Sequence, residues 1–474
     1  MLPYKTLRQA TLKWFCSVIA IIGLLTTALS AQDARRIIID SNVTYQQLEG
    51  FGTSGAWWAP RVGLWEQAKR QRVLTLLYDR EQGAGLTIYR YHIGAGGRDE
   101  LLADWRRVPC IEVTPGVYDT SRDPGIQIAK EALAAGAQQV FAFACSPPGR
   151  LTVSGKVVAN KDQKQSNLAP KNYQAYSDYL CDIVNLLRQE GLPIAGFSPI
   201  NEPQWAWDST SGEGIHLKPK ELVAFLRVFV ERAQDRLPEV SLEVFDSGAW
   251  NETAKYLEAI LADPLLPQVI DSYSVHSYWA TDEYRRSFMQ WAQERKFNES
   301  LHMTEWCEMK WGRSPGMDSA CVLATTVISD LTICNVHSWC SWLGASPFDF
   351  RDALITVDEQ GNKIETNKRL WALANFSRFI RPGWTRIEAT GPDDIRMVAA
   401  KKPQGTEIVC VVVNALKQDQ SVTLVGKNGQ PLKVEQTWVT SESHDLQSVE
   451  LPRQGDSLSL PPQSVVSIVI SNSN

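Results

Sequence analysis

The chain has 474 residues, too many for one small domain and enough for a large domain plus a smaller one. Hydrophobic residues make up 44% and charged residues 21%, the balance of an ordinary soluble globular protein. A net charge of −5 argues against nucleic acid or an anionic membrane as partner.

Residues 1–31 stand apart. Lys5, Arg8 and Lys13 precede an apolar run over 14–29, and the small residues Ala28, Ser30 and Ala31 follow. That is the build of a cleaved signal peptide, so the mature protein is expected to be secreted or periplasmic, with no membrane contact after cleavage. A retained single-span anchor is the alternative. Cys16 lies in this leader. The other eight cysteines include no Cys-x-x-Cys pair, which argues against metal or redox use. Several sit in apolar runs as small buried hydrophobes, leaving room for one or two disulfides.

A β-branched run at 35–40, in the N-terminal segment 32–48, reads as a strand, followed by a tight turn at Gly50 and Gly52. From 49 to 383, apolar strand-like runs alternate with helical patterns. Helices are expected at 64–78, 126–135, 173–189, 219–237, 253–261, 288–294, 320–331 and 368–377. Strand two covers 86–94, strand three 139–144, strand six 270–278 and strand eight 333–342. Polar stretches at 97–124 and 152–168 read as long loops, the second a candidate groove wall. Eight strands in this alternation argue for a closed parallel barrel. From 384 to 474 only short β-rich runs remain, which reads as a small β-sandwich that the N-terminal strand could join.

Two of the barrel runs end alike. Residues 196–202 run from apolar residues into Asn201-Glu202-Pro203, with Trp205 and Trp207 behind. Leu301-His302-Met303-Thr304 runs into Glu305-Trp306. Pro203 cannot continue a central ladder, so Glu202 stands at a strand mouth. The two acids are roughly 100 residues apart, about three strand–loop–helix units of a barrel of ~250 residues. They are therefore expected to close strands 4 and 7 and to face each other. Aromatic rings against Glu202 are expected to raise its pKa and fit it for general acid work. Arg90, inside strand two, needs an anion, and Glu202 or Glu305 could supply it; a purely structural ion pair is the alternative. Of 17 tryptophans, many fall at strand ends, among them Trp57, Trp58, Trp205, Trp339 and Trp342. Flat rings gathered there suit a sugar, which has apolar faces and polar rims. No His-x-His or His-Glu-x-x-His pair occurs, so neither a metal nor another cofactor is expected.

With the acids placed, the chain resembles the glycoside hydrolases of family 30. The resemblance rests on Glu49-Gly50-Phe51-Gly52, Arg90-Tyr91-His92-Ile93-Gly94, Ser146-Pro147-Pro148, Asn201-Glu202-Pro203, His276-Ser277-Tyr278, Thr304-Glu305-Trp306 and Asp352-Ala353-Leu354-Ile355. It implies a (β/α)8 TIM barrel with a side-attached β-sandwich built from the C-terminal segment plus an N-terminal strand. It also implies a retaining β-glycosidase, with Glu202 as acid/base and Glu305 as nucleophile. Asn201 would bind the sugar 2-hydroxyl, Tyr278 and Arg90 would hold Glu305 ionised, and His276 would lie beside the sugar. Trp342 or Trp339 would floor the subsite, with Trp58 and Trp205 also against the substrate. The opening Gly52–Trp58 looks closest to members acting on β-1,6-galactan; xylan, β-1,6-glucan and glucosylceramide-like substrates are the alternatives. The partner is then a polysaccharide or oligosaccharide, met by a monomer. Gly149-Arg150-Leu151 departs from the family pattern, and Arg150 is expected either to meet an acidic sugar or to face solvent. A non-catalytic carbohydrate-binding protein on the same scaffold is the reading from another class.

Overall fold

The computed structural model describes residues 35–97, 104–158, 166–207 and 212–471. The leader at 1–31, and the export it would direct, lie outside the described residues. No helix among the described residues is long and apolar enough to cross a membrane.

Eight parallel strands close a barrel: Gly50–Ser54, Ile88–Ile93, Gln139–Ala144, Ile194–Ser198, Ser241–Ser247, Ser272–His276, Leu301–Glu305 and Ser338–Ser346. Their spatial order follows the chain. The eighth pairs with the seventh (His302 beside Ser338) and with the first (Ser338 beside Gly50), so the sheet has no gap at its seam. The strands are buried almost throughout because helices cover one face and barrel side chains fill the other. One long helix follows each strand: Gln67–Tyr78, Gly125–Ala135, Tyr173–Gln189, Pro219–Arg236, Trp250–Leu261, Asp282–Glu294, Met317–Ile333 and Lys368–Ser377.

Some boundaries differ from the sequence pattern for local reasons. The sixth helix starts at Asp282, six residues before the apolar pattern begins. Thr281 caps it by accepting a hydrogen bond from the Tyr284 amide, and Asp282 and Glu283 favour the positive helix end. The eighth strand starts at Ser338 rather than 333, because Ile333 is spent on the preceding helix and Asn335, at φ 52°, turns the chain. The loop over 97–124 contains a small hairpin, Glu112–Thr114 with Val117–Tyr118, turning at Gly116. All eight cysteines of the described residues are unpaired thiols, seven of them buried as small apolar groups.

Arg36–Gln47 and the strands from Thr385 to Ser471 form a second, ten-stranded sheet beside the barrel. Arg36–Gln47 enters it between Thr385–Thr390, antiparallel, and Gln420–Gly426, parallel. Alternation in Glu407–Asn414 explains how it docks. Ile408, Cys410 and Val412 face the core of this sheet, while Val409, Val411 and Val413 join the core shared with the barrel. Polar ties seal the contact: Asn375 Nδ2 donates to Thr440 Oγ1 at 2.6 Å, and Ser467 Oγ to the Asn375 carbonyl at 2.7 Å.

Candidate active site

The carboxyl ends of the strands bring the candidate residues together. The fourth strand stops at Ser198, and Glu202 follows in a left-handed conformation, φ 44°. Its amide donates to the Asp246 carbonyl at 2.9 Å, and its own carbonyl accepts from the Trp205 amide and Trp207 Nε1, each at 3.2 Å. Trp57, Asp246 and Trp279 at the same rim also have positive φ. Such conformations are costly for non-glycine residues and gather where a fixed side-chain aim is needed. Gly248 is required for space. A Cβ there would lie 2.6 Å from Glu202 Oε1 and 2.4 Å from Trp205 Nε1. Gly248→Ala should therefore fold but push the Glu202 carboxyl aside, lowering kcat by about 10–100-fold. Steady-state rates beside an unchanged circular dichroism spectrum would show it, and a native rate would refute it.

Glu202, Glu305 and His276 form the centre. One oxygen of each carboxyl and a ring nitrogen of His276 lie within 4.8 Å of one another. His276 Nδ1 is 2.8 Å from Glu202 Oε1, and Nε2 is 3.3 Å from Asp246 Oδ1. Burial lowers the basicity of this ring, but Glu305, Asp246 and Glu202 outweigh it and hold its pKa at about 10. His276 is thus an imidazolium whose two N–H groups donate to carboxylates.

Arg90 is 1% exposed and lies beneath this layer. Its Nη2 is 2.9 Å from Asp246 Oδ1, Nη1 donates to the Thr304 carbonyl at 2.9 Å, and Nη1 is 3.9 Å from Glu305 Oε2. Its principal anion is therefore Asp246, not either glutamate, with Glu305 a more distant second. Burial alone would raise the Asp246 carboxyl; Arg90 and His276 hold it well below the usual carboxylate range. Thr304 Oγ1 also donates to Asp246 Oδ1 at 2.5 Å. Tyr278 donates to Glu305 Oε1 at 2.7 Å, and burial keeps its phenol neutral. Burial pushes the Glu305 carboxyl up to about 7, and the Glu202 charge adds to this; His276, Arg90 and Tyr278 pull it down. The nearby Glu202 charge thus disfavours the ionised form of Glu305. Such an arrangement can deliver a proton from one side of a bond while a carboxylate attacks from the other. The short separation matches the ~5–5.5 Å of retaining chemistry better than the ~6.5–9.5 Å that admits an intervening water.

Above the pair opens a cleft of about 440 Å³. Trp57, Trp205, Trp207, Trp279, Trp311 and Trp342 line it. Trp342 meets Trp57 edge to face at 5.2 Å, and Trp205 meets Trp279 in the same way at 6.0 Å. Two expected residues lie elsewhere. Trp58 is fully buried, its Nε1 donating to the Ser54 carbonyl at 2.7 Å, and its neighbour Trp57 reaches the cleft instead. Trp339 is fully buried too, donating to Asp330 Oδ2 at 2.9 Å on the helix side of the eighth strand. Asn201 is buried and its Oδ1 makes no hydrogen bond; nor does Glu305 Oε2, which has only the ion pair to Arg90. Arg150 meets neither solvent alone nor the cleft; it grips Glu112 through two hydrogen bonds of 2.7 and 2.6 Å. None of the described part of the 152–168 loop lines the cleft.

The sequence reading passed over Asp246, although it lies at the carboxyl end of its strand, as Glu305 does. It also passed over Arg106 and Asp352 on the cleft wall. Asp352 had a signal, lying in the last of the seven motifs. Arg106 had none, coming from a loop with no periodicity.

Fold and carboxyl pair together define a barrel O-glycosidase. Residues 34–277 match O-Glycosyl hydrolase family 30, and the chain belongs to that family. A glucuronoxylanase, XynC of Bacillus subtilis (strain 168), is 23% identical over 452 residues, covering 94% of this chain and 93% of its own. A conserved exported protein from Bacteroides fragilis superposes with TM-score 0.81 at 23% identity, over 92% of this chain and all of that one. An endo-β-1,6-glucanase superposes with TM-score 0.72 at 19% identity, over 92% and 95% of the two chains.

Proposed function

We propose that this protein is an exported, monomeric retaining β-glycosidase that cleaves a polysaccharide by double displacement. The observation that carries this is the Glu202–Glu305 pair, close enough for direct attack and asymmetrically partnered. Glu305, held by Tyr278 and facing the charge of Arg90 and His276, attacks the anomeric carbon. Glu202 gives its proton to the leaving oxygen, then takes one from water in the second step. Asn201, with its buried free oxygen, accepts from the sugar 2-hydroxyl. Trp342 and Trp57 form the floor and wall of the subsite.

The substrate reading is an endo-acting β-1,6-galactanase. The Gly52–Trp58 opening supports the sugar. Trp279 and Trp311, 60% and 78% exposed, extend the aromatic platform outward along the rim, as an internal cut in a long chain requires. A second reading, a uronic-acid-bearing xylan, is favoured by Arg106, which lies over the Trp57 ring at 4.9 Å and lines the cleft. It is also favoured by the glucuronoxylanase relative. The test is incubation with β-1,6-galactan, glucuronoxylan and β-1,6-glucan, sizing the products and following the first-formed anomer by NMR. Short galacto-oligosaccharides of β configuration are expected. Release from xylan alone moves the assignment to the second reading, and an α first product ends the retaining mechanism.

A further inference from the structure

At the other end of the barrel, the starts of the seventh, eighth and first strands converge on three ligating side chains. His302 lies in the seventh strand, His337 directly precedes the eighth, and Glu49 directly precedes the first. The backbone fixes them. The Glu49 amide donates to the His337 carbonyl at 2.7 Å, and the His337 amide to the Leu301 carbonyl at 2.8 Å. One donor atom from each side chain lies within 4.8 Å of the others. His302 Nε2 is 3.4 Å from Glu49 Oε2, and His337 Nδ1 is 4.0 Å from Glu49 Oε1. A tetrahedral zinc ion with bonds of ~2.0–2.2 Å sets its ligands roughly 3.4 Å apart.

The second observation is the state of His302. Its side chain is 7% exposed, and Nδ1 is 2.7 Å from Glu243 Oε1. Nε2 is buried, and it faces Glu49 Oε2 as an ion pair without completing a hydrogen bond. A carboxylate on the far nitrogen is what orients a metal-bound imidazole and fixes its tautomer. Glu49 and His337 are partly exposed, at 38% and 25%, which gives an ion access and leaves a fourth position for water. The trio of Glu202, His276 and Glu305 meets the same spacing, but both nitrogens of His276 already bond to carboxylates.

We propose that Glu49, His302 and His337 bind one divalent ion of the zinc type, with Glu243 positioning His302, and that the ion clamps the seam where the first and eighth strands close the barrel. Two imidazoles and one carboxylate suit zinc; magnesium and calcium prefer oxygen donors throughout. The sequence pattern gave no hint because the ligands come from three strand starts rather than one short motif.

The test is calorimetric titration of the chelator-stripped full chain with zinc chloride. One ion per chain is expected, weakened at least tenfold in Glu49→Gln and in His337→Ala and unchanged in Glu305→Gln. Millimolar magnesium should not compete. Anomalous diffraction at the zinc edge provides a readout that needs no variant, with one peak expected between His302 and His337. Absence of binding overturns the proposal, as does binding indifferent to Glu49→Gln and His337→Ala, or a peak at the carboxyl pair.

Discussion

Replacing Glu305 by Gln lowers polysaccharide turnover by roughly four to six orders of magnitude, the scale seen when a covalent nucleophile is removed. The amide has the shape of the carboxylate and still accepts the 2.7 Å hydrogen bond from Tyr278. It cannot form the glycosyl ester on which a double displacement depends. The charge around it argues for the same role. Arg90 and Asp246 neutralise each other at 2.9 Å, so the net positive charge facing Glu305 comes chiefly from His276, whose nitrogen is 3.8 Å from Glu305 Oε1. That cation favours the attacking anion and offsets part of the burial that raises Glu305. The measurement is kcat of the purified variant beside its thermal unfolding curve. A cooperative transition within a few degrees of the native one is expected, since the isosteric change opens no cavity. Turnover within tenfold of native in a folded variant would remove Glu305 from the mechanism.

The strand pattern was legible because each barrel strand is a short run buried almost throughout, and such runs stand out between amphipathic helices. Tyr173–Gln189 was plain for the converse reason, having one clear apolar face. The acids could be read from their place at strand ends. Which tryptophan faces the substrate was harder. Trp339 and Trp342 differ in parity along one strand, so they must point to opposite faces, and parity alone assigns one of them to the helix layer. Trp57 and Trp58 are adjacent, and the choice between them is made by the positive φ of Trp57, which no periodicity announces. The Asp246–Arg90–His276 network was out of reach for a related reason. Its three members lie on strands 5, 2 and 6, and only closure of the barrel brings them together.

Glu202→Gln should separate the two halves of the reaction. The first half needs a proton on the departing oxygen, and the polysaccharide leaving group is a poor one. Losing the general acid should cost about 10²–10⁴ in kcat/KM on that substrate. An aryl glycoside of the same sugar with an acidic phenol needs no such help, so its glycosylation step should proceed at nearly the native rate. Deglycosylation then lacks its base, and a burst of phenol followed by a slow steady state is the expected trace. The hydrogen bond from His276 survives, because the amide oxygen accepts as the carboxylate did. The pH profile gives an independent reading. A general acid acts only while protonated, so kcat/KM on the polymer should have a basic limb in the native protein. In Glu202→Gln that acid is gone, and the basic limb should flatten. A variant that keeps both the basic limb and native turnover of the polymer would show that some other group supplies the proton. Among the residues lining the cleft, Asp352, pushed up to about 6 by burial, is the next acid to test.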